Sequence, residues 1–122
     1  MLGQLQACPC GTPTPYDACC GRLHRGVDQA ATALDLMRSR YAAYAVGDAD
    51  YVWRTWHPRT RPEAIDLESD LTWTDLTVHG SGEDWVEFTA SYLSGTGAGS
   101  LHELSRFSRR AGRWFYLDGD VT

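Results

Sequence analysis

The apolar positions of this chain change period part-way along it. Between Thr32 and Gly47 the residues Leu34, Met37, Tyr41 and Tyr44 recur at steps of three and four, which keeps them on one stripe of an α-helix. Thr32 followed by Asp35 makes an N-terminal capping box, and Gly47 suits the left-handed residue that closes a helix. The spacing therefore predicts a helix over 33–46. Asp48 is placed to cap a second, shorter helix on which Val52, Trp53 and Trp56 share a face. Pro58 sets its end, because a proline disfavours helix at the residue before it, here His57. One further helical turn is expected between Pro62 and Leu67.

From Leu71 onward the period is two. Leu76 and Val78 alternate with polar neighbours, and Val86, Phe88, Ala90 and Tyr92 alternate with Trp85, Glu87, Thr89 and Ser91. Gly80-Ser81-Gly82 is expected as the first turn, the glycine-rich run Gly95 to Ser100 as a second, flexible one, and Gly112 as a third. The remaining strands then cover Leu101 to Ala111 and Trp114 to Leu117. Helices followed by a meander of about four antiparallel strands form an α+β plan. The sheet must curl around the helices to bury both sets of apolar residues.

With 122 residues and 43% hydrophobic content, the chain can build one core of ordinary size, and its first thirty residues are too polar to join it fully. The expected organisation is an appendage over residues 1–27 and one α+β domain over 28–122. The formal charge is −5, with eleven Arg and no Lys, and no half of the chain is basic. Such a balance argues against nucleic acid as a partner. The local exception is Arg106, Arg109, Arg110 and Arg113, which reads either as a phosphate-gripping patch for RNA or the ribosome, or as the solvated turn of a hairpin; Gly112 favours the turn. No window approaches the roughly 18 apolar residues of a membrane span. Met1 to Ala7 has no basic n-region, so a cytoplasmic location is expected, with no membrane contact.

The candidate chemistry begins with the cysteines. All four lie in the first twenty residues, as Cys8-Pro9-Cys10 and Cys19-Cys20. Zn²⁺ prefers four soft ligands in a tetrahedron, so this spacing reads as one structural zinc site, with Tyr16 to Cys20 as its closing turn. Gly11 is expected to let the backbone fold round the ion and offer N–H groups to the sulfurs. Metal binding would then supply the folding energy of this Pro/Gly-rich segment, about 10–16 kcal/mol in comparable sites. A site filled by four cysteines has no open position for metal-assisted hydrolysis. Two disulfides are the competing reading. They need an oxidising compartment, and although pairing within Cys8/Cys10 or Cys19/Cys20 is strained, cross-pairing between the halves is open.

Cys8-Pro9-Cys10-Gly11 with Cys19-Cys20-Gly21 resembles the SEC-C motif, the zinc module found at the C-terminus of the SecA translocase. The segments Leu36 to Tyr41, Thr55-Trp56-His57-Pro58, Leu101-His102-Glu103, Ser105-Arg106-Phe107 and Gly112-Arg113-Trp114 resemble the YchJ family of uncharacterised bacterial proteins. The resemblance spans nearly the whole chain and implies a nuclear transport factor 2-like cone, a fold that the order and length of the predicted elements also resemble. Two departures stand out. Gly11-Thr12-Pro13 replaces the usual Gly-Ser-Gly, and Tyr16-Asp17-Ala18 stands where many SEC-C motifs carry lysines, which argues against a phosphate-binding or nucleic-acid role. One metal per chain is implied.

A cone needs residues to line it. The polar and aromatic pocket candidates are Tyr41, Tyr44, Trp53, Trp56, His57, Glu103, Ser105 and Arg106, and the catalytic candidates are His57, His102, Glu103 and Asp118. Strand parity sets Glu103, Ser105 and Phe107 on one face and His102, Leu104 and Arg106 on the other, so His102 and Glu103 cannot share a pocket. An enzyme would use a histidine as general base beside a carboxylate, as an isomerase, dehydratase or hydrolase. The competing roles are structural: His57 satisfying a carbonyl at the helix end, Glu103 pairing with Arg106, Arg38 or Arg40, and the five tryptophans as core. His24 and His79 are expected to face solvent. The reading that follows is a binding protein, monomer or homodimer. Its zinc knot presents Pro9, Tyr16 and Leu23 to a protein partner, a contact the SEC-C resemblance also implies, and its cone takes a small ligand.

Overall fold

A computed structural model describes residues 6–67 and 71–122. A 3₁₀ turn at Tyr16–Ala18 leads into α1 (Cys20–His24), followed by α2 (Ala33–Val46) and α3 (Ala49–Arg54). Strands β1 (Thr72–Ser81), β2 (Trp85–Ser94), β3 (Gly97–Arg110) and β4 (Arg113–Val121) complete the chain. All pair antiparallel with their sequence neighbours in one sheet of order β1-β2-β3-β4.

Both ends of α2 form as the sequence predicts. The Asp35 N–H donates to Thr32 Oγ1 at 3.0 Å, and Gly47, at φ 83°, donates its N–H to the Ala43 carbonyl. Asp48 Oδ1 likewise accepts from the Tyr51 N–H and starts α3. That helix is shorter than expected. It stops at Arg54 because the backbone of Tyr116 captures the next residues, accepting from the His57 N–H and donating to the Thr55 carbonyl. Trp56 thus leaves the helix and bridges to Tyr116, so it shares no face with Trp53. The turn expected at Pro62 to Leu67 is not helical either; the Pro62 carbonyl instead accepts the Trp53 indole N–H.

The sheet curls through three irregularities, at Trp73/Asp75 and Val78/Gly80 in β1 and opposite Arg106/Phe107, where β4 carries the extra residue Leu117. Its turns differ from expectation in position. β1 runs through Gly80 and Ser81, and the first turn lies at Gly82 to Asp84. The glycine run is mostly strand: Gly97 to Ser100 pair with Ser94 to Ser91, leaving only Gly95 and Thr96 as the loop. Gly99 is needed there because the Tyr92 ring lies where its Cβ would stand. The third turn, Ala111-Gly112, has positive φ at both residues (52° and 78°), the geometry that matches strand twist in two-residue hairpins. β4 then continues past Leu117 to Val121.

The main core lies between α2 and the concave sheet face and is built from Leu36, Met37, Tyr41, Val86, Phe88, Ala90 and Phe107. Leu23, Ala43, Tyr51 and Val52 form a smaller one that joins α1, α2 and α3. Trp56, Trp73 and Trp114 pack against these cores. Trp85 is exposed, and Trp53 sits outside them beneath the Arg61 guanidinium.

Candidate metal centre and cone pocket

The four cysteine sulfurs lie within 4.8 Å of one another, with Cys8, Cys10 and Cys20 buried and Cys19 partly so. Cys10 Sγ and Cys19 Sγ are 3.8 Å apart. A tetrahedron with metal–sulfur bonds of about 2.3 Å has an edge of about 3.8 Å, which this pair matches. That spacing is far too open for a bonded sulfur pair, and all four cysteines are free.

The ligands are held by two short pieces of chain. Cys8 and Cys10 come from a loop closed by the Cys8 N–H on the Thr14 carbonyl at 2.9 Å, while Cys19 and Cys20 start α1. Gly11, at φ 99°, gives its N–H to the Cys8 carbonyl rather than to sulfur. The hydroxyl of Thr12 stands in that role, 3.3 Å from Cys19 Sγ and 3.6 Å from Cys10 Sγ.

Electrostatics make the cluster a poor set of free thiols. Hydrogen bonds from Cys20 and then Cys8 push the Cys10 thiol far down, whereas the Cys20 thiol is driven far up by Cys10 and Cys8 and the Cys8 thiol rises to about 11, led by Cys10. Cys10 thus carries the anion while Cys8 and Cys20 hold their protons, a balance that a divalent cation at the centre would reverse.

Side chains from α1, α2 and α3 lock this knot to the cone. Arg38 Nη1 donates to the Cys10 carbonyl at 2.7 Å, and Ala42 packs against the cysteines. His24 faces inward rather than solvent: its Nε2–H donates to the Ser39 carbonyl at 2.8 Å, which leaves Nδ1 to accept from the Tyr16 hydroxyl at 2.7 Å. The Arg54 guanidinium donates to the His24 carbonyl. Leu23 is buried in the smaller core, so it is not part of the knot's outer surface.

Between α2 and the concave face of the sheet lies a cavity of about 270 Å³. Its polar end carries Arg40, Tyr44, Trp56, Glu103, Ser105 and Tyr116. Arg40 is buried; Nη1 donates to the Val52 carbonyl at 2.7 Å and to Thr55 Oγ1 at 2.8 Å. Its guanidinium lies 4.6 Å from the Tyr116 ring centroid and 5.3 Å from that of Trp56. Burial pulls this cation below the ordinary arginine range, the cost of removing a charge from water. Glu103 Oε2 accepts from the Ser105 hydroxyl at 2.5 Å and the Tyr116 hydroxyl at 3.0 Å. Burial, and then that carboxylate, raise the Tyr116 phenol above its usual range.

Of the sequence candidates, Tyr41, Tyr44, Trp56, Glu103 and Ser105 line this cavity and Trp53, His57 and Arg106 do not. His57 lies beyond α3, where its Nδ1 accepts the Arg59 N–H, an amide rather than a carbonyl. Desolvation, then Arg59 and Arg110, hold it below the ordinary histidine range. His102 is on the outer face, bonded to Glu87 and Thr122, with His79 beside it. Arg106 is also outside and pairs with Asp118 and Asp120 rather than Glu103, which accounts for three of the polar groups at that edge. It holds Asp120 below the usual carboxylate range. No histidine is therefore among the cavity's lining residues.

Two polar lining residues, Arg40 and Tyr116, are not among the pocket candidates read from the sequence. Arg40 falls three residues after Met37 and four before Tyr44, a lone charge inside the apolar stripe of α2, and that interruption was the available signal. Tyr116 had no comparable mark.

A family model described as the middle, nuclear transport factor 2-like domain of YchJ matches residues 32–119. The chain is 49% identical over 122 residues to a UPF0225 protein of Streptomyces coelicolor, covering 93% of this chain and 94% of that one. With a UPF0225 protein of Deinococcus radiodurans it shares 51% identity over 112 residues, 91% of this chain and 86% of the relative. The solution structure of a SEC-C motif containing protein from Rhodopseudomonas palustris superposes with a TM-score of 0.83 at 36% identity, covering 94% of this chain and 98% of that one. The crystal structure of a SEC-C motif containing protein from Psychrobacter arcticus gives 0.79 at 29% identity, over 100% and 86%.

Proposed function

Because the chain belongs to the YchJ family (UPF0225) and joins SEC-C cysteines to a nuclear transport factor 2-like domain, we propose that it is a zinc-stabilised binding protein. Cys8, Cys10, Cys19 and Cys20 hold one structural Zn²⁺, and the cone receives a small ligand. The observation that carries the metal reading is the cluster of four sulfurs within 4.8 Å of one another, one pair of them 3.8 Å apart. An all-thiolate set favours Zn²⁺ over the hard cations, which take oxygen ligands. The ion supplies cross-linking and charge neutralisation. With four protein ligands it keeps no open position for substrate, so the knot is a scaffold.

The same knot is the docking point for a protein partner. In support, Val27 is 67% exposed just after α1, and Pro13, Thr14 and Ala18 form an exposed rim beside the cysteines. Nucleic acid suits this surface less well, since Arg25 and Arg22 are already paired with Asp17 and Asp28. Among the described residues no helix is long and apolar enough to cross a membrane.

The test is elemental analysis of protein purified without added metal, with thiols counted before and after chelation. About one zinc per chain and four thiols released by the chelator are expected. Metal-free protein with four reactive thiols would overturn the reading, as would an iron or copper content equal to the chain concentration.

A further inference from the structure

The cavity's polar end is richer in unused donors than in unused acceptors. Arg40 is buried and lines it, yet among the described residues only Nη1 of its nitrogens has hydrogen-bond partners, so Nε and Nη2 keep three N–H groups. Trp56 lines the same cavity, and its indole N–H is fully buried without an acceptor. A buried polar group left unpaired, as the Trp56 indole N–H is, is rare and expensive. The single lining carboxylate, Glu103, does not relieve them. Its Oε2 already takes the Ser105 and Tyr116 hydroxyls, and the Tyr116 ring lies against the Arg40 guanidinium, so the phenol separates the two charges.

We infer that the cone binds a small carboxylate with an apolar body, its carboxylate held by Arg40 and Trp56. This deepens the reading of the cone as a ligand site and rests on it. A carboxylate matches the planar fork of a guanidinium and can accept the indole N–H as well. The remaining walls, among them Met37, Phe88, Leu101 and Phe107, offer only apolar surface to the body of the ligand. Size sets the scale. At about 270 Å³ the cavity lies just below the roughly 300–1,000 Å³ of pockets for drug-sized molecules, so the ligand is a smaller one. An amine is disfavoured, because it would share the cavity with the buried Arg40 cation.

The probes are phenylacetate and its uncharged counterpart phenylacetamide, titrated into zinc-loaded full-length protein at constant ionic strength. Binding is read from the indole N–H signals in ¹H–¹⁵N spectra, with the Trp56 signal identified by its loss in Trp56→Phe. Phenylacetate is expected to shift that signal and to bind at least ten-fold more tightly than the amide. Trp56→Phe should weaken it several-fold while leaving the other four indole signals in place. Arg40→Gln should abolish the preference for acid over amide, but Arg40 also ties α2 to α3, so the comparison on the unmodified chain carries the test. Equal or tighter binding of the amide overturns the carboxylate assignment and leaves the cone a ligand site. Phenylacetate that shifts only other signals overturns the assignment too. No shift of Trp56 with either probe up to about 10 mM overturns both the assignment and the ligand-binding reading of the cone.

Discussion

Arg38 reaches from the middle of α2 to the carbonyl of Cys10, 28 residues earlier in the chain, and bonds it at 2.7 Å. With Ala42 packed on the cysteines and His24 bonded to the Ser39 carbonyl, that contact ties the cysteine loop to the principal helix of the cone. A hydrogen bond from a charged donor contributes about 1.5–3 kcal/mol. Arg38→Met should therefore lower the denaturant stability of the metal-loaded protein by about that amount, with an unchanged m-value. In chelated protein, where the loop loses its organising ion, the same substitution should cost much less. Equal losses in both states would show that Arg38 acts on α2 alone.

Thr12 sits where it can steady two sulfurs at once, 3.3 Å from Cys19 Sγ and 3.6 Å from Cys10 Sγ. Groups that hydrogen-bond to metal ligands commonly set affinity by a factor of 10–100. Thr12→Val keeps the side-chain shape and removes the hydroxyl. Competition with a chromophoric zinc chelator should report a loss of about ten-fold in affinity, with Thr12→Ser close to the parent. A Val variant that holds zinc as tightly as the parent would assign the hydroxyl a packing role only.

Much of this architecture was legible in the sequence because the local signals agree with the global packing. Thr32, Asp35 and Gly47 bound α2 at both ends, and period-two alternation in β3 separates Glu103 and Ser105, which face the cavity, from His102 and Arg106, which do not. What escaped was set by contacts distant in sequence. Spacing from Asp48 puts Trp56 on the face of Val52 and Trp53, but the backbone of Tyr116, sixty residues on, takes it out of the helix. The burial of His24 depends on the Ser39 carbonyl and the Tyr16 hydroxyl, neither of which is marked by periodicity. The glycines at 97 and 99 looked like a loop by composition. They are strand because β2 pairs with them through Ser94 and Tyr92.

His24 carries a pH dependence whose sign follows from its surroundings. Burial, the largest influence, lowers its pKa below the ordinary histidine value; Arg54 and Arg25 act in the same direction, opposed by the Ser39 carbonyl and Asp48. The folded protein thus holds His24 neutral, while the unfolded chain takes up a proton near pH 6.5. Its contribution is fully present above about pH 6.5 and is lost as the pH falls below that value toward the folded pKa, because the unfolded state then binds the extra proton. Denaturation in excess zinc between pH 7.5 and 5.5 should show a steeper loss for the parent than for His24→Gln. Parallel curves would remove His24 as the titrating group.

Glu103 and Gly119 test whether the floor of the cavity is as tightly set as it looks. A Cβ at position 119 would fall on Glu103 Oε2 and within 2.8 Å of its Cδ. The carboxylate cannot simply swing aside, since the Ser105 and Tyr116 hydroxyls both hold that oxygen. Gly119→Ala should therefore break those two bonds or move β4 away from β3, at about 1–3 kcal/mol. In a Glu103→Ala background nothing stands in the way of the new methyl, and the same substitution should be close to neutral. The coupling read from the double-mutant cycle is expected to be about 1–3 kcal/mol. Additive losses would mean that Gly119 serves the backbone of β4 and that Glu103 is free to move, in which case the carboxylate is not a fixed wall of the cavity.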